Sequence, residues 1–284
     1  MFAGSVCQAA AHPRRRWSAS GLLSIVLGCV LVTSVVAGLP ASFSAAPRAQ
    51  LSQAGFAPSP AAPRDDSFLK ISRLLYADDF TKGLADWTVE LEKPGRIAVG
   101  GGTLDIDVPA GATLWFRHKL SGPVLIEYQA TAVSAGGPND RVSDLNCFWM
   151  ATDPREPADI FKHPRHGAFA EYNTLRTYYV GLGGNGNTTT RFRRYLGDPV
   201  ERPLLPEHDL SARDDMIQPN HSQTIRLAAN GSFVAYYRGQ RRIFTLQDPE
   251  PYTQGWFAIR TTKNHLRIKK LRIYQLEPAP VPAS

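Results

Sequence analysis

From about residue 68 to 277 the chain alternates apolar and polar positions in short runs, and Gly, Pro, Asn and Asp separate the runs. No segment carries a long apolar repeat at helical spacing, so the pattern predicts strands. LIEYQATAV sets Ile126, Tyr128, Ala130 and Ala132 on one face. SDLNCFWMATDP sets Leu145, Cys147, Trp149 and Ala151 on one face and Asn146, Phe148 and Met150 on the other. Both of those faces are largely apolar, as expected of an interior strand. QTIRLAANGSFVAYY predicts a hairpin turning at Asn230-Gly231, and YYRGQRRIFTL another around Arg238-Gly239. In HLRIKKLRIYQL, Leu271 and Ile273 fall out of phase with Leu266 and Ile268, which predicts a bulge or bend at Lys269-Lys270. Residues 153–175, with three prolines, do not read as strand; a helical turn fits AFAEYNTL, and a long insertion in an all-β unit is often functional. Many short, turn-spaced strands predict an all-β fold, a two-sheet antiparallel sandwich.

The stretch Arg176 to Tyr195, RTYYVGLGGNGNTTTRFRRY, organises this pattern. It starts as a strand, breaks at GLGGNGN and resumes as a strand. Alternation places Arg191, Arg193 and Tyr195 on one face of the second arm and Thr188, Thr190, Phe192 and Arg194 on the other. Guanidinium cannot shed its charge on burial, so the arginine face is poor core material. It suits a surface that grips a carboxylate or a sugar, or else an ordinary solvated face. Of Tyr178 and Tyr179 one must point inward; alternation alone does not say which.

The flanks differ in composition. Residues 1–45 resemble an export signal: His12-Pro13-Arg14-Arg15-Arg16 precedes the apolar run Gly21 to Val36, followed by small residues. Paired arginines before Trp17 fit a twin-arginine signal, and the uncharged run is also long enough for an uncleaved membrane anchor. Residues 46–67 read as a disordered linker rich in Ala, Pro, Ser and Gln, and 278–284 as a tail. The formal charge of +7 drops to +4 without the three leader arginines, too mild a balance to argue for nucleic acid. Cys7 and Cys29 lie in the leader; Cys147 remains alone in an apolar run and reads as a small buried residue.

The runs DLNCFWMATDP, YYVGLGGNGNTTTRFRRY and DPEPYTQGWFAIRTTKNHLRIKKLRIYQL resemble a bacterial family of uncharacterised extracytoplasmic proteins associated with polysaccharide utilisation, the YesU-like proteins of rhamnogalacturonan-degrading clusters. The resemblance covers about residues 70–276. That family is similar in turn to concanavalin A-like lectins and glucanases. The resemblance therefore implies a jelly roll with a sugar-binding sheet, while the fold itself hosts lectins, hydrolases and lyases alike.

The candidate chemistry follows. A glycosidase needs two carboxylates flanking the bond, and no Glu-x-Asp-x-x-Glu strand is present. Asp105 and Asp107 share a face in TLDIDV and read as a solvated strand face. A lyase acting on a uronate needs a group that neutralises the carboxylate and a Tyr or His as base. The sequence offers Tyr179, Arg191 and His265 as catalytic candidates. Asn146, Arg176, Tyr178, Asn185, Asn187, Arg193, Arg260 and Asn264 are candidates for substrate binding. Asn185 and Asn187 equally suit turn geometry, because Asn tolerates positive φ. Alternation leaves open whether the Arg191/Arg193 pair and the Arg176/Tyr178 pair share a face. Trp115, Trp149 and Trp256 could stack on sugar rings or lie in the core. No cofactor is implied; Asp78 and Asp79 suit a structural calcium at most. The expected partner is a polysaccharide or oligosaccharide, not nucleic acid, with a membrane involved only through an uncleaved leader. Three classes stay open: a carbohydrate-active enzyme with lyase ahead of glycosidase, a non-catalytic carbohydrate-binding domain, and a surface-anchored structural protein.

Overall fold

The computed structural model describes residues 67–279, so the leader, almost all of the linker and the end of the tail lie outside the described residues. In chain order the strands are β1 (Ile71–Asp78), β2 (Trp87–Leu91), β3 (Arg96–Gly100), β4 (Thr103–Val108), β5 (Ala112–Phe116), β6 (Leu120–Ser121), β7 (Val124–Ala132) and β8 (Leu145–Thr152). They continue as β9 (Arg176–Gly183), β10 (Thr189–Leu196), β11 (Asp209–Leu210), β12 (Gln223–Asn230), β13 (Phe233–Arg238), β14 (Arg241–Gln247), β15 (Gln254–Thr261) and β16 (Asn264–Leu276). All pairings are antiparallel. The first sheet runs β14-β13-β12-β7-β16-β4-β3, with β1 also on β16; the second runs β11-β10-β9-β8-β15-β5-β2, with β6 on β15. The expected two-sheet antiparallel sandwich is what the chain forms.

The main core lies between the sheets and is built by alternation. Ile126, Tyr128 and Ala130 of β7 face Tyr178, Val180 and Leu182 of β9, Phe192 of β10 and Phe257 and Ile259 of β15, all essentially inaccessible. A one-residue slip of β10 would exchange Phe192 for Arg191 or Arg193, so burial fixes the register firmly. The bulge predicted in β16 is present: its register against β7 shifts between Lys269 and Arg272, and Lys270 adopts φ 52°. That extra residue returns Leu271 and Ile273 to the core beside Leu266 and Ile268. It also lets one edge of β16 pair with β4 first and β1 afterwards.

Two local expectations shift. The β12–β13 pairing runs to Asn230 opposite Phe233, so the turn residues are Gly231-Ser232 and Asn230 belongs to the strand. Its carboxamide instead donates to the carbonyls of Phe68 and Glu277. In β8, Met150 takes φ 53° and the register slips against both neighbours, which sends Met150 into the core and Ala151 to the outer face. Alternation cannot foresee a slipped residue where every position is apolar.

Residues 153–175 form two short 3-10 turns, Ile160–Lys162 and Phe169–Tyr172. They lie on the outer face of the second sheet, where Ile160, Tyr172 and Leu175 pack with Trp115, Phe148 and Trp256 into a second apolar cluster. Glu90 is buried beneath it and accepts hydrogen bonds from Tyr172 Oη at 2.7 Å and Trp115 Nε1 at 2.9 Å. Burial pushes the Glu90 carboxyl up from its ordinary range, although these donors and Arg165 pull the other way.

Candidate functional site

Strand alternation builds the site. With Tyr178, Val180 and Leu182 in the core, β9 turns Tyr179 and Gly181 outward, and with Phe192 inward β10 turns out Arg191, Arg193 and Tyr195. The register then lines these residues into rows across the second sheet. One row is Arg191, Gly181, Asn146, Arg260 and Thr113; the next is Arg193, Tyr179, Phe148, Ala258 and Trp115. Over the β10–β9–β8 end of these rows lies a cavity of about 280 Å³.

Its floor is Asn146, Tyr179 and Gly181, and Arg191, Arg193 and Tyr195 flank it. The Tyr179 phenol lies over Gly181, where a Cβ would stand 2.9 Å from its hydroxyl and push the ring aside. The turn after β9 supplies Asn185 to the rim, and Phe169 and Arg202 complete the walls. The turn has the left-handed backbone its Gly/Asn composition allows: Gly183, Asn185, Gly186 and Asn187 have φ of 65°, 54°, 72° and 66°. The remaining wall is Asp144, which accepts from Thr262 Oγ1 at 2.8 Å and from Asn146 Nδ2 at 3.4 Å.

The charge distribution is lopsided. Arg191 is held by Asp209 through Nε at 2.7 Å and Nη2 at 3.1 Å, and this pair pulls the Asp209 carboxyl below its usual range. Arg193 donates only to the carbonyl of Arg202, and Arg202 donates to the Asn173 carboxamide at 2.9 Å. Arg260 donates to Thr113 Oγ1 at 2.7 Å and to the Gly167 carbonyl at 3.0 Å. Three guanidinium groups therefore rest on neutral acceptors. Burial, together with the like charges of Arg202 and Arg191, pulls Arg193 below its ordinary value against the opposing influence of Tyr195. An anion entering the cavity would relieve that repulsion.

Polar atoms are left over here. Among the described residues the buried Oδ1 of Asn146 and the Tyr179 hydroxyl have no hydrogen-bond partner, and farther along the same row, under the insertion, neither does the Nη2 of Arg260. Burial first, then the charges of Tyr195 and Asp144, pushes the Tyr179 phenol well above its ordinary range, only partly opposed by Arg260. The phenol is therefore a proton donor at neutral pH and not a ready base.

The structure brings together Asn146, Tyr179, Asn185, Arg191 and Arg193 from the residues singled out by sequence. Arg260 joins the same row but lies under the insertion, its guanidinium 4.9 Å from the Phe169 ring and 4.6 Å from that of Tyr172. The others are elsewhere. Tyr178 is the inward tyrosine; its hydroxyl donates to Asp248 at 2.6 Å and accepts from Tyr252 N at 3.0 Å, so it is not available to a substrate. Arg176 is exposed at the opposite end of β9 from the cavity. Asn187 exchanges hydrogen bonds at 2.9 Å with the backbone N–H and carbonyl of Ile217 and fastens the turn.

His265 and Asn264 belong to β16 in the first sheet and do not reach the cavity. His265 is nearly enclosed between Asp140 at 3.0 Å and Asp105 at 3.1 Å. Asn264 donates to the Ser143 carbonyl, next to Asp144, so these two residues anchor the loop that carries the acidic wall. None of the three tryptophans considered for sugar stacking offers a free face. Trp149 is in the core, Trp115 lies beneath Tyr172 and against Phe148, and Trp256 sits under Phe161 and Lys119.

Asp78 is used by Phe80 N and Trp87 Nε1, and Asp79 by Arg272; among the described residues no cluster of His, Cys, Asp or Glu is arranged to hold a metal ion. Sequence reading missed Asp144, Phe169, Arg202 and Thr262. Asp144 had a signal, because alternation carried two residues back from Asn146 places it on the same side. Arg202 and Phe169 lie in irregular segments where periodicity carries no directional information.

Residues 106–271 match the family described as "Domain of unknown function (DUF6250)". A comparison with curated proteins returns no match. Among solved structures the chain is similar to a protein of unknown function with a galectin-like fold from Bacillus subtilis, at 16% identity and TM-score 0.59, covering 74% of this chain and 100% of that one. It is also similar to an endo-β-1,3-glucanase from Pyrococcus furiosus (10% identity, TM-score 0.49, 74% of this chain and 98% of that one). A third is the carbohydrate binding module CBM66 from Bacillus subtilis (10% identity, TM-score 0.46, 67% and 96%). The first of these likenesses shows the fold, a galectin-like, concanavalin A-like sandwich.

Proposed function

The chain belongs to the DUF6250 family, a domain of unknown function, and from that premise we propose that the cavity on the second sheet binds the carboxylate-bearing unit of an acidic carbohydrate. One observation carries the reading: Arg193 and Arg202 face a cavity with only neutral acceptors for partners, beside an unpartnered phenol and carboxamide oxygen. Guanidinium matches carboxylate in geometry and charge, and the phenol and amide groups suit sugar hydroxyls. The resemblance to YesU-like proteins of rhamnogalacturonan-degrading clusters points to the same ligand class. The basic-then-apolar leader supports export to where such glycans occur. Calorimetry with galacturonate and glucuronate against galactose and glucose tests the reading. The uronates are expected to bind and the neutral sugars to bind far more weakly; equal binding, or none, would overturn it.

A second reading, cleavage by β-elimination, is favoured by Asp144 and Tyr179 lining one cavity. With the uronate carboxylate held by arginine, a carboxylate base would take the C5 proton. The C4–O bond would break, a C4=C5 double bond would form, and a phenol kept protonated by burial would supply a proton to the departing oxygen. Asp144 then takes the role that sequence reading gave to Tyr179 or His265. Ultraviolet absorbance of unsaturated uronate products distinguishes this reading from binding alone. A hydrolase fits less well, since among the described residues Asp144 is the one carboxylate lining the cavity and a glycosidase needs two.

A further inference from the structure

The outer face of the second sheet is continuous from β10 to β2, yet only one end of it is accessible. An extended glycan crossing the strands would follow the rows from Arg191 and Arg193 toward Thr113 and Trp115. That path is closed beyond β8. Arg260 is 1% exposed because Phe169 and Tyr172 lie on its guanidinium and the Gly167 carbonyl accepts from it. The insertion backbone is seated directly on the end of the β2–β5 strand pair. A Cβ on Gly167 would collide with the backbone of Leu91 and Glu92, and one on Gly111 with the Gly167 carbonyl. Glu92 Oε2 accepts from Gly111 N at 2.9 Å and locks the same corner. Glycine on both sides of this contact is what allows the insertion to close without a gap.

The other direction is closed too. Beyond β10 the segment after Gly197 folds back, with Asp209 of β11 clamped on Arg191 and the Arg202 carbonyl on Arg193. What remains is a pocket of about 280 Å³, just below the roughly 300–1,000 Å³ typical of ligand sites, with room for one or two sugar rings.

We infer that the protein recognises the end of an acidic glycan chain, seating a terminal uronate in the pocket, and does not grip the interior of a polymer. This rests on the acidic-carbohydrate reading above and goes beyond it by naming which part of the chain is bound. The two blocked directions are independent features, one made by the insertion of residues 153–175 and one by residues 197–210.

The test uses polygalacturonate and alginate, each fractionated into a short oligomer, a mid-length chain and a long polymer, titrated calorimetrically against the full-length protein. With end recognition, protein bound at saturation follows the molar concentration of chains, so it falls in proportion to chain length at constant mass. The short oligomer then binds as tightly per molecule as the polymer. Saturation that depends only on polymer mass, with several proteins per long chain, would overturn end recognition and leave the acidic-carbohydrate reading standing. Failure of every length of both polymers, together with their monomers, would overturn both.

Discussion

The outer faces of the two sheets carry the same kinds of side chain and treat them in opposite ways. Around β4 and β16 of the first sheet the arginines meet carboxylates: Arg96 and Arg267 bind Asp105, Arg96 lies 3.6 Å from Asp107, and His265 bridges Asp105 and Asp140. On the second sheet Arg191 is paired, while Arg193, Arg202 and Arg260 are left to carbonyl, carboxamide and hydroxyl oxygens. Self-satisfied charges stabilise a surface modestly and offer a ligand nothing. Charges held in place without a counter-charge are preorganised for one. A basic or acidic residue in a strand therefore says little about function until its partner is known.

The sharpest way to break this comparison is to remove the unpaired charge. Arg193→Ala is expected to weaken uronate binding by about two orders of magnitude or more, the scale of losing a desolvated charge partner, with little change in melting temperature. Uronate affinity equal to wild type in calorimetry would show that the unpaired guanidinium is not the anion site.

The two tyrosines divide function from stability. Tyr178→Phe removes a hydroxyl that donates to Asp248 and accepts from Tyr252 N, and should cost about 1–3 kcal/mol in urea unfolding while leaving ligand affinity intact. Tyr179→Phe should do the reverse, lowering affinity or turnover about tenfold with stability unchanged. Gly181→Ala should act like Tyr179→Phe, because the added methyl crowds the phenol from 2.9 Å; a crystal structure would show the ring displaced.

The smallest effects belong to the satisfied face. His265→Ala should leave binding unchanged and cost about 0.5–1 kcal/mol near neutral pH. The pH dependence follows from the carboxylates. Backbone N–H donors from Ala135 and Gly137, with His265 adding to them, hold Asp140 below its ordinary value. Asp105 is also lowered, because His265 and Arg267 outweigh the burial that would raise it. A depressed carboxyl contributes stability that is fully present above its unfolded value, here 3.8, and lost as pH falls through the folded one. Chemical denaturation should accordingly show stability declining below about pH 4, and less steeply in His265→Ala than in wild type.

Much of this architecture could be read from the sequence where one physical rule dominates. Period-two alternation gave the strands, the inward Phe192, the outward Arg191 and Arg193, and the bulge at Lys269-Lys270. It could not choose between Tyr178 and Tyr179, because either phase of β9 presents one tyrosine to each side. Chain proximity misled the assignment of Asn264 and His265: they follow Arg260 by a few residues, yet the chain crosses to the other sheet in between. Arg202 and Phe169 enter from irregular segments, where position depends on tertiary packing.

The arginine-bearing strand lies one place from the sheet border, and its neighbour β11 is only Asp209–Leu210, paired through Thr190 and Arg191. Most of the β10 ladder on that side is thus shielded by a loop, a weak guard against another chain adding itself edge to edge. Arg193 keeps its charge without a carboxylate partner on that strand, while Arg191 and Arg194 are paired with Asp209 and Asp248, so Arg193 is the residue that sets like charge against like when two copies approach through it. The cation that prepares the cavity for an acidic guest also discourages self-templated sheet extension, and replacing Arg193 with a neutral residue should lower solubility as well as affinity.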